Sequence, residues 1–185
     1  YQSQNNVSLR LDDLKSILCK KPVLLIFPGS SIESIIDELN LLDYTKICVN
    51  FHNMNIKTDF VFVSNKRRFD ELNIENSIPL ITTSNVSQNQ KHVASYVHLL
   101  NNEKLVFDNA GLLCIKLMID LGLKKLFIAG FDGYSFDFSD FAFDNSQNES
   151  KSINESISKV LKMYGTQINL VSLTKEKYIR INTHD

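Results

Sequence analysis

The sequence predicts an α/β domain built on an open, mostly parallel sheet with helices on both faces. Strand-like and helix-like periods alternate along the chain. The strand candidates are short runs that are apolar at consecutive residues, as strands buried on both faces must be. Neither an internal repeat nor an interior linker breaks the 185 residues. At about 100–200 residues per domain, that length makes one domain with room for a full core.

The elements follow in order. Residues 9–20 put Leu11, Leu14, Ile17 and Leu18 on one helical face. Asp12 and Asp13 lie near its start and Lys15, Lys20 and Lys21 near its end, which suits the helix dipole. Pro22 stops this helix, and Val23–Phe27 is the first strand. Pro28-Gly29-Ser30-Ser31 turns into a helix carrying Ile32, Ile35, Ile36 and Leu39. Strands are expected at Lys46–Asn50, Phe60–Val63 and Ile78–Thr82, with another extended stretch at Val93–Leu100. Asp108 to Leu121 reads as a helix apolar nearly all round, hence buried on most sides, with Gly122 ending it. Lys124–Ala129 is the next strand. In 135–152, alternating Phe136, Phe138, Phe141 and Phe143 lead into a polar stretch, and a helix with Ile153, Ile157, Val160 and Leu161 runs to Gly165. Ile168–Leu173 closes the set. Residues 1–21 are read as a linker and leading helix, and 22–185 as the single domain. The start at Tyr1, without Met or a signal-peptide pattern, reads as a fragment of a longer protein.

Composition excludes several classes. A hydrophobic content of 43% argues against disorder, and only six Gly and three Pro argue against a collagen-like or linker chain. No apolar run reaches the ~18 residues of a membrane span. A net charge of −1 argues against non-specific binding to nucleic acid or anionic membrane as the main activity. Cys19, Cys48 and Cys114 are odd in number, lack CxxC spacing and sit in apolar contexts, as reduced, buried thiols of a cytoplasmic protein do.

In an open α/β sheet ligands bind beyond the carboxyl ends of the strands, so the residues following each strand are the candidates. After the first strand, Gly29 allows close backbone approach, Ser30 and Ser31 add hydroxyls, and the free N–H groups of the turn suit a phosphate. Ser30-x-x-Glu33 is equally a capping box needing no ligand. Asn50 and Asn65 end the second and third strands. Each can read a base, ribose or sugar as donor and acceptor, and each also suits a turn. Lys66, Arg67 and Arg68 could pair with a diphosphate or form a solvated face. Asp108 is the expected N-cap of the buried helix, and Gly111 in its first turn implies close packing or ligand approach. Gly130-Phe131-Asp132-Gly133-Tyr134 is the most site-like loop. Asp132 can accept sugar hydroxyls or cap the loop. Only Asp137 lies near it in sequence, too few ligands for a metal site. Tyr134, Phe136 and Phe138 are candidate lid residues that could stack a base, or belong to a half-buried edge strand.

Taken together, Leu25-Ile26-Phe27-Pro28-Gly29-Ser30-Ser31-Ile32, Ile47-Cys48-Val49-Asn50, Val61-Phe62-Val63-Ser64-Asn65, Asn109-Ala110-Gly111 and Leu121 through Asp132 resemble, in order, the motifs of the bacterial sialyltransferases and the related motility-accessory and pterin-diphosphokinase-like proteins. The Ala129-Gly130-Phe131-Asp132-Gly133-Tyr134-Ser135 string is closer still to the C-terminal domain attached to aldolase barrels of the HMG-CoA-lyase type in surface-polysaccharide gene clusters. The resemblance implies a Rossmann-like domain that binds a cytidine nucleotide such as CMP, or another nucleotide-sugar. It implies nucleotide-facing roles for Gly29, Ser30, Ser31, Asn50, Asn65, Gly111 and Asp132, and an aldolase-like domain upstream. One departure matters. The sialyltransferases carry a general-base His in the mobile segment after the "G.D" loop, and here no His stands between His98 and His184.

Three function classes follow: a nucleotide or nucleotide-sugar binding module of a polysaccharide-biosynthesis protein, an active glycosyl- or diphospho-transferase, and a ligand-free structural module that holds an aldolase or its homo-oligomer together. No further cofactor, metal, nucleic-acid partner or membrane span is implied.

Overall fold

Strict alternation along each strand divides the core in two. Val23 and Leu25 of β1 (Val23–Ile26) face one apolar cluster, and Leu24 and Ile26 face another. The same division recurs in β2 (Thr45–Val49), where Ile47 and Val49 part from Cys48, and in β3 (Phe60–Val63), where Phe60 and Phe62 part from Val61 and Val63. A sheet apolar on both faces must be covered on both, because side chains at successive residues point oppositely. These relations come from a computed structural model that describes residues 11–72, 78–83, 86, 109–133, 147–175 and 182–183. The expected extended stretch Val93–Leu100, the lid candidates Tyr134, Phe136 and Phe138, and Asp108 and Asp137 lie outside the described residues.

With β4 (Leu80–Thr82), β5 (Lys125–Ala129), β6 (Asn169–Ser172) and β7 (Asn182–Thr183), the strands form one seven-stranded sheet in the order β4-β3-β2-β1-β5-β6-β7. Every pairing is parallel, with Leu25 opposite Ile47 on one side of β1 and Ile128 on the other. The α/β open sheet expected from the sequence is therefore present, and its described part is wholly parallel. The terminal strand β7 carries no sequence signal of its own.

One face is covered by α1 (Leu11–Leu18), α4 (Ala110–Asp120) and α5 (Gln147–Gly165), whose Leu14, Leu18, Leu112, Ile115, Met118, Ile157 and Leu161 share a cluster with Leu25 and Ile128. The leading helix thus packs into the domain core. The other face is covered by a 3-10 segment (Ser30–Ile35), α2 (Ile36–Leu41) and α3 (Lys66–Glu71), through Ile32, Leu39 and Phe69. α5 begins earlier than its apolar period suggests, because the polar stretch before Ile153 is already helical from Gln147.

Helix ends explain two further boundaries. Gly122 lies at φ +83, its N–H bonds Ile119 O at 2.8 Å, and Leu123 N–H bonds Met118 O at 3.1 Å. This is a Schellman ending, which only a residue at ease with positive φ completes cheaply. At the other end of α4 the N-cap is Asn109, whose side chain accepts from Leu112 N at 3.0 Å, correcting the expectation that Asp108 caps it. Asparagine at that place satisfies the orphan donor as well as aspartate does.

Burial sets the thiol chemistry. Cys48 and Cys114 are buried and Cys19 is exposed, correcting the expectation that all three are buried. Loss of hydration pushes the Cys114 thiol pKa up and that of Cys48 up to about 11, with Thr58 partly offsetting the latter. A thiol-titrating disulfide at about pH 8 is expected to modify Cys19 rapidly and the other two only on unfolding. From about pH 9 the unfolded Cys48 thiol ionises first while the folded one keeps its proton to about 11. Stability therefore falls as pH rises through that window, readable as a falling urea midpoint.

Candidate functional site

The chain runs outward from β1 to β4 and then returns to place β5 against the other side of β1. Strand order reverses there, so the residues after β1 and β5 stand side by side at the carboxyl edge of the sheet, the position at which open α/β sheets bind ligands. Gly29, Ser30 and Ser31 follow β1, and Gly130 and Asp132 follow β5. The structure brings them together.

The two loops are latched. Phe27 N–H bonds Ala129 O at 2.9 Å, continuing the ladder beyond β1, and Gly29 N–H bonds Gly130 O at 3.0 Å. A Cβ on Gly29 would lie 2.3 Å from Gly130 O and 2.5 Å from the Asp132 carboxylate. The absent side chain admits the neighbouring loop. Gly130, at φ +74, has its own N–H bonded to Thr174 Oγ1 at 2.9 Å. Thr174 was not among the expected site residues. The signal for it was available, since it follows β6 as Asp132 follows β5.

Asp132 is half-buried and accepts from Ser31 N at 2.9 Å through Oδ2 and from the Ser31 hydroxyl through Oδ1. Two expectations are corrected by this arrangement. The N-cap of the 3-10 segment is Gly29, with no side-chain capping bond, so Ser30 and Glu33 do not make a capping box there. The Ser31 N–H, one of the turn's N–H groups expected to be free, donates to the Asp132 carboxylate from the loop after β5. Each Asp132 oxygen still has a lone pair beyond its Ser31 bond, so the carboxylate can accept from sugar hydroxyls. A phosphate placed at the same point would meet a negative charge.

Asn50, at the carboxyl end of β2, adopts φ 55, the left-handed conformation that asparagine tolerates. Its N–H bonds Phe62 O at 2.8 Å and its Oδ1 accepts from Ser64 N at 3.2 Å, tying the ends of β2 and β3 together. The amide donors remain as the part of Asn50 able to address a ligand. Asn65 caps α3, its Oδ1 accepting from Arg67 N at 2.8 Å and Arg68 N at 3.4 Å. Replacing Asn65 by Ala is expected to cost about 1 kcal/mol in a urea melt, and replacing it by Asp almost nothing.

Lys66, Arg67 and Arg68 are engaged on α3 itself. Lys66 pairs with Asp70 at 2.8 Å, and Arg67 and Arg68 share Glu71 at 3.4 and 3.1 Å. Gly111 is buried, and a Cβ there would lie 2.7 Å from the Phe131 ring and 2.9 Å from that of Phe27. The two rings stack at 4.5 Å between centroids. Close packing accounts for Gly111: the glycine lets α4 approach the Phe27 and Phe131 rings beside the latched loops.

Among the described residues no group of three or more His, Cys, Asp or Glu side chains is placed to hold a metal, and no helix is long and apolar enough to cross a membrane. No protein-family model matches this chain, and no curated protein matches it.

Proposed function

We propose that the chain is a nucleotide or nucleotide-sugar binding module, with a cytidine nucleotide such as CMP as the leading ligand, in a bacterial surface-polysaccharide biosynthesis protein that also carries an aldolase-like domain. The observation that carries this reading is the reversal of strand order between β1 and β5, with Ser31 and Asp132 at its carboxyl edge and Asn50 beside it. Ribose or sugar hydroxyls fit the Asp132 carboxylate. Phosphates fit the α3 side, where Lys66, Arg67 and Arg68 follow β3, two strands or about 10 Å from β1. Their ion pairs are exposed and worth about 0–1 kcal/mol each, so a diphosphate can displace them. No side chain is assigned to a transfer step, and the isolated chain is expected to leave CMP-sugars unhydrolysed and untransferred.

A thermal-shift panel with cytidine, CMP, CDP, UDP, GDP and their sugar conjugates tests the reading. A ligand at about 100 times its dissociation constant adds about 2.7 kcal/mol of stability. The expected result is a cytidine-selective shift that is lost in Asn50→Gly, which keeps the left-handed backbone and removes the amide. Arg67→Ala/Arg68→Ala is expected to weaken CDP more than cytidine. The closed latch favours a second reading: the crevice residues bond one another, as in a structural module that has no ligand. Absence of a shift with every nucleotide selects that second reading.

A further inference from the structure

Within a formal charge of −1, exposed lysines gather at one edge of the sheet. Because every strand runs the same way, all of them start at one edge of the sheet, opposite the candidate site. Lys20 and Lys21 precede β1, Lys57 precedes β3, and Lys124 and Lys125 stand side by side at the start of β5; all are exposed. Helix-dipole matching accounts for Lys15 and Lys162, which lie in the last turns of α1 and α5. Because α1 ends at Leu18, Lys20 and Lys21 lie beyond its last turn, which corrects the expectation that they match its dipole, and the dipole likewise does not account for Lys57, Lys124 and Lys125.

Among the described residues, the acids near this edge are already engaged. Asp43 pairs with Lys21 at 2.5 Å, Asp59 accepts from Lys46 N at 2.8 Å, and Asp120 pairs with Lys116. Lys20, Lys57 and Lys124 have no carboxylate partner among the described residues. Large apolar side chains stand at the same end. Leu41, at the end of α2 ahead of β2, is 85% exposed, and Met163, in the last turn of α5 ahead of β6, is 48% exposed. Met54, 81% exposed, is held near Leu41 because the Asn40 side chain bonds Asn55 O at 2.7 Å and Lys57 N at 2.8 Å.

We infer that this strand-start edge is a docking surface for an anionic lipid bilayer, with Lys20, Lys57 and Lys124 meeting headgroups and Leu41, Met54 and Met163 entering the interfacial layer. The chemistry distinguishes this partner from an acidic protein. Protein interfaces are depleted in lysine and enriched in arginine, aromatics and methionine; this edge exposes two methionines, and its unpaired described cations are lysines. Long, unbranched lysine stems lie along apolar surface while the ammonium stays at headgroup level. The candidate ligand site, at the opposite edge, would then face away from the bilayer.

Co-sedimentation of the full chain with vesicles tests the proposal. The expected result is binding to equimolar phosphatidylglycerol and phosphatidylcholine at about 50 mM NaCl, and its loss at about 500 mM. Pure phosphatidylcholine is expected to bind little. Lys20→Glu/Lys57→Glu/Lys124→Glu, checked for unchanged secondary structure by circular dichroism, is expected to bind about a hundredfold more weakly, since each lysine contributes about fivefold. Leu41→Asn/Met163→Ser is expected to bind more weakly at unchanged melting temperature. The proposal is overturned by failure to bind the anionic vesicles, by equal binding to the neutral ones, or by undiminished binding of the charge-reversed variant. Binding to soluble polyglutamate but not to vesicles overturns it in favour of an acidic protein partner.

Discussion

Gly130→Ala is expected to lower the stability of the domain by about 3 kcal/mol or more. Left-handed backbone costs an alanine about 1–2 kcal/mol. The new Cβ would also lie 2.3 Å from Phe27 O and 2.6 Å from Ile32 Cγ2. The first of these is backbone in the β1–β5 ladder and cannot swing aside. A domain of this size loses about 2–4 °C per kcal/mol, so a melting scan should show a fall of about 6–12 °C. Gly122→Ala is the control. Its φ of +83 carries the same strain, but the nearest atom to an added Cβ is the mobile Lys15 Nζ at 3.6 Å. A loss of only about 1–2 kcal/mol is expected there. Equal losses at the two positions would show that the latch between the β1 and β5 loops does not constrain the fold.

Asp132→Ala is expected to cost about 2–3 kcal/mol, because it strips the acceptors from both the Ser31 N–H and the Ser31 hydroxyl. Bonds to a charged acceptor are individually worth about 1.5–3 kcal/mol, and the half-exposed position lets water replace part of the loss. Asp132→Asn keeps one acceptor and a similar shape, and a cost of about 1 kcal/mol is expected in a urea melt. The same Asn variant separates stability from binding. Cytidine affinity is expected to fall about tenfold, a loss of about 1.4 kcal/mol, at a temperature where both proteins are fully folded.

Much of the sheet was legible because two of its strands are apolar at every residue and others hold runs of three or four apolar residues. Val23–Phe27 and Phe60–Val63 admit no amphipathic alternative, and both match observed strands closely. Gly122 marked the end of α4 for the same kind of local reason. β7 was not legible, because Asn182 and Thr183 carry no apolar signal and depend on pairing with Val171 and Ser172. The rule that ligands lie beyond strand ends located Gly29, Ser31 and Asp132, but not the contact between them. A carboxylate capping a turn 101 residues away leaves no trace in local spacing. Ser30-x-x-Glu33 therefore offered a nearer explanation for the turn than the long-range one observed. Asn50 and Asn65 look alike as strand-ending asparagines, yet one bridges two strands from the left-handed region and the other caps a helix. Only backbone geometry separates them.

Titration of isotopically labelled protein with CMP, followed amide by amide by NMR, shows directly whether a nucleotide binds at the β1 and β5 strand ends. Saturable shifts are expected at Gly29–Ser31, Asn50 and Gly130–Asp132, with little change at the strand-start residues Lys124 and Lys125. Shifts concentrated away from the β1 and β5 strand ends, or none with any nucleotide, would contradict the nucleotide-site reading.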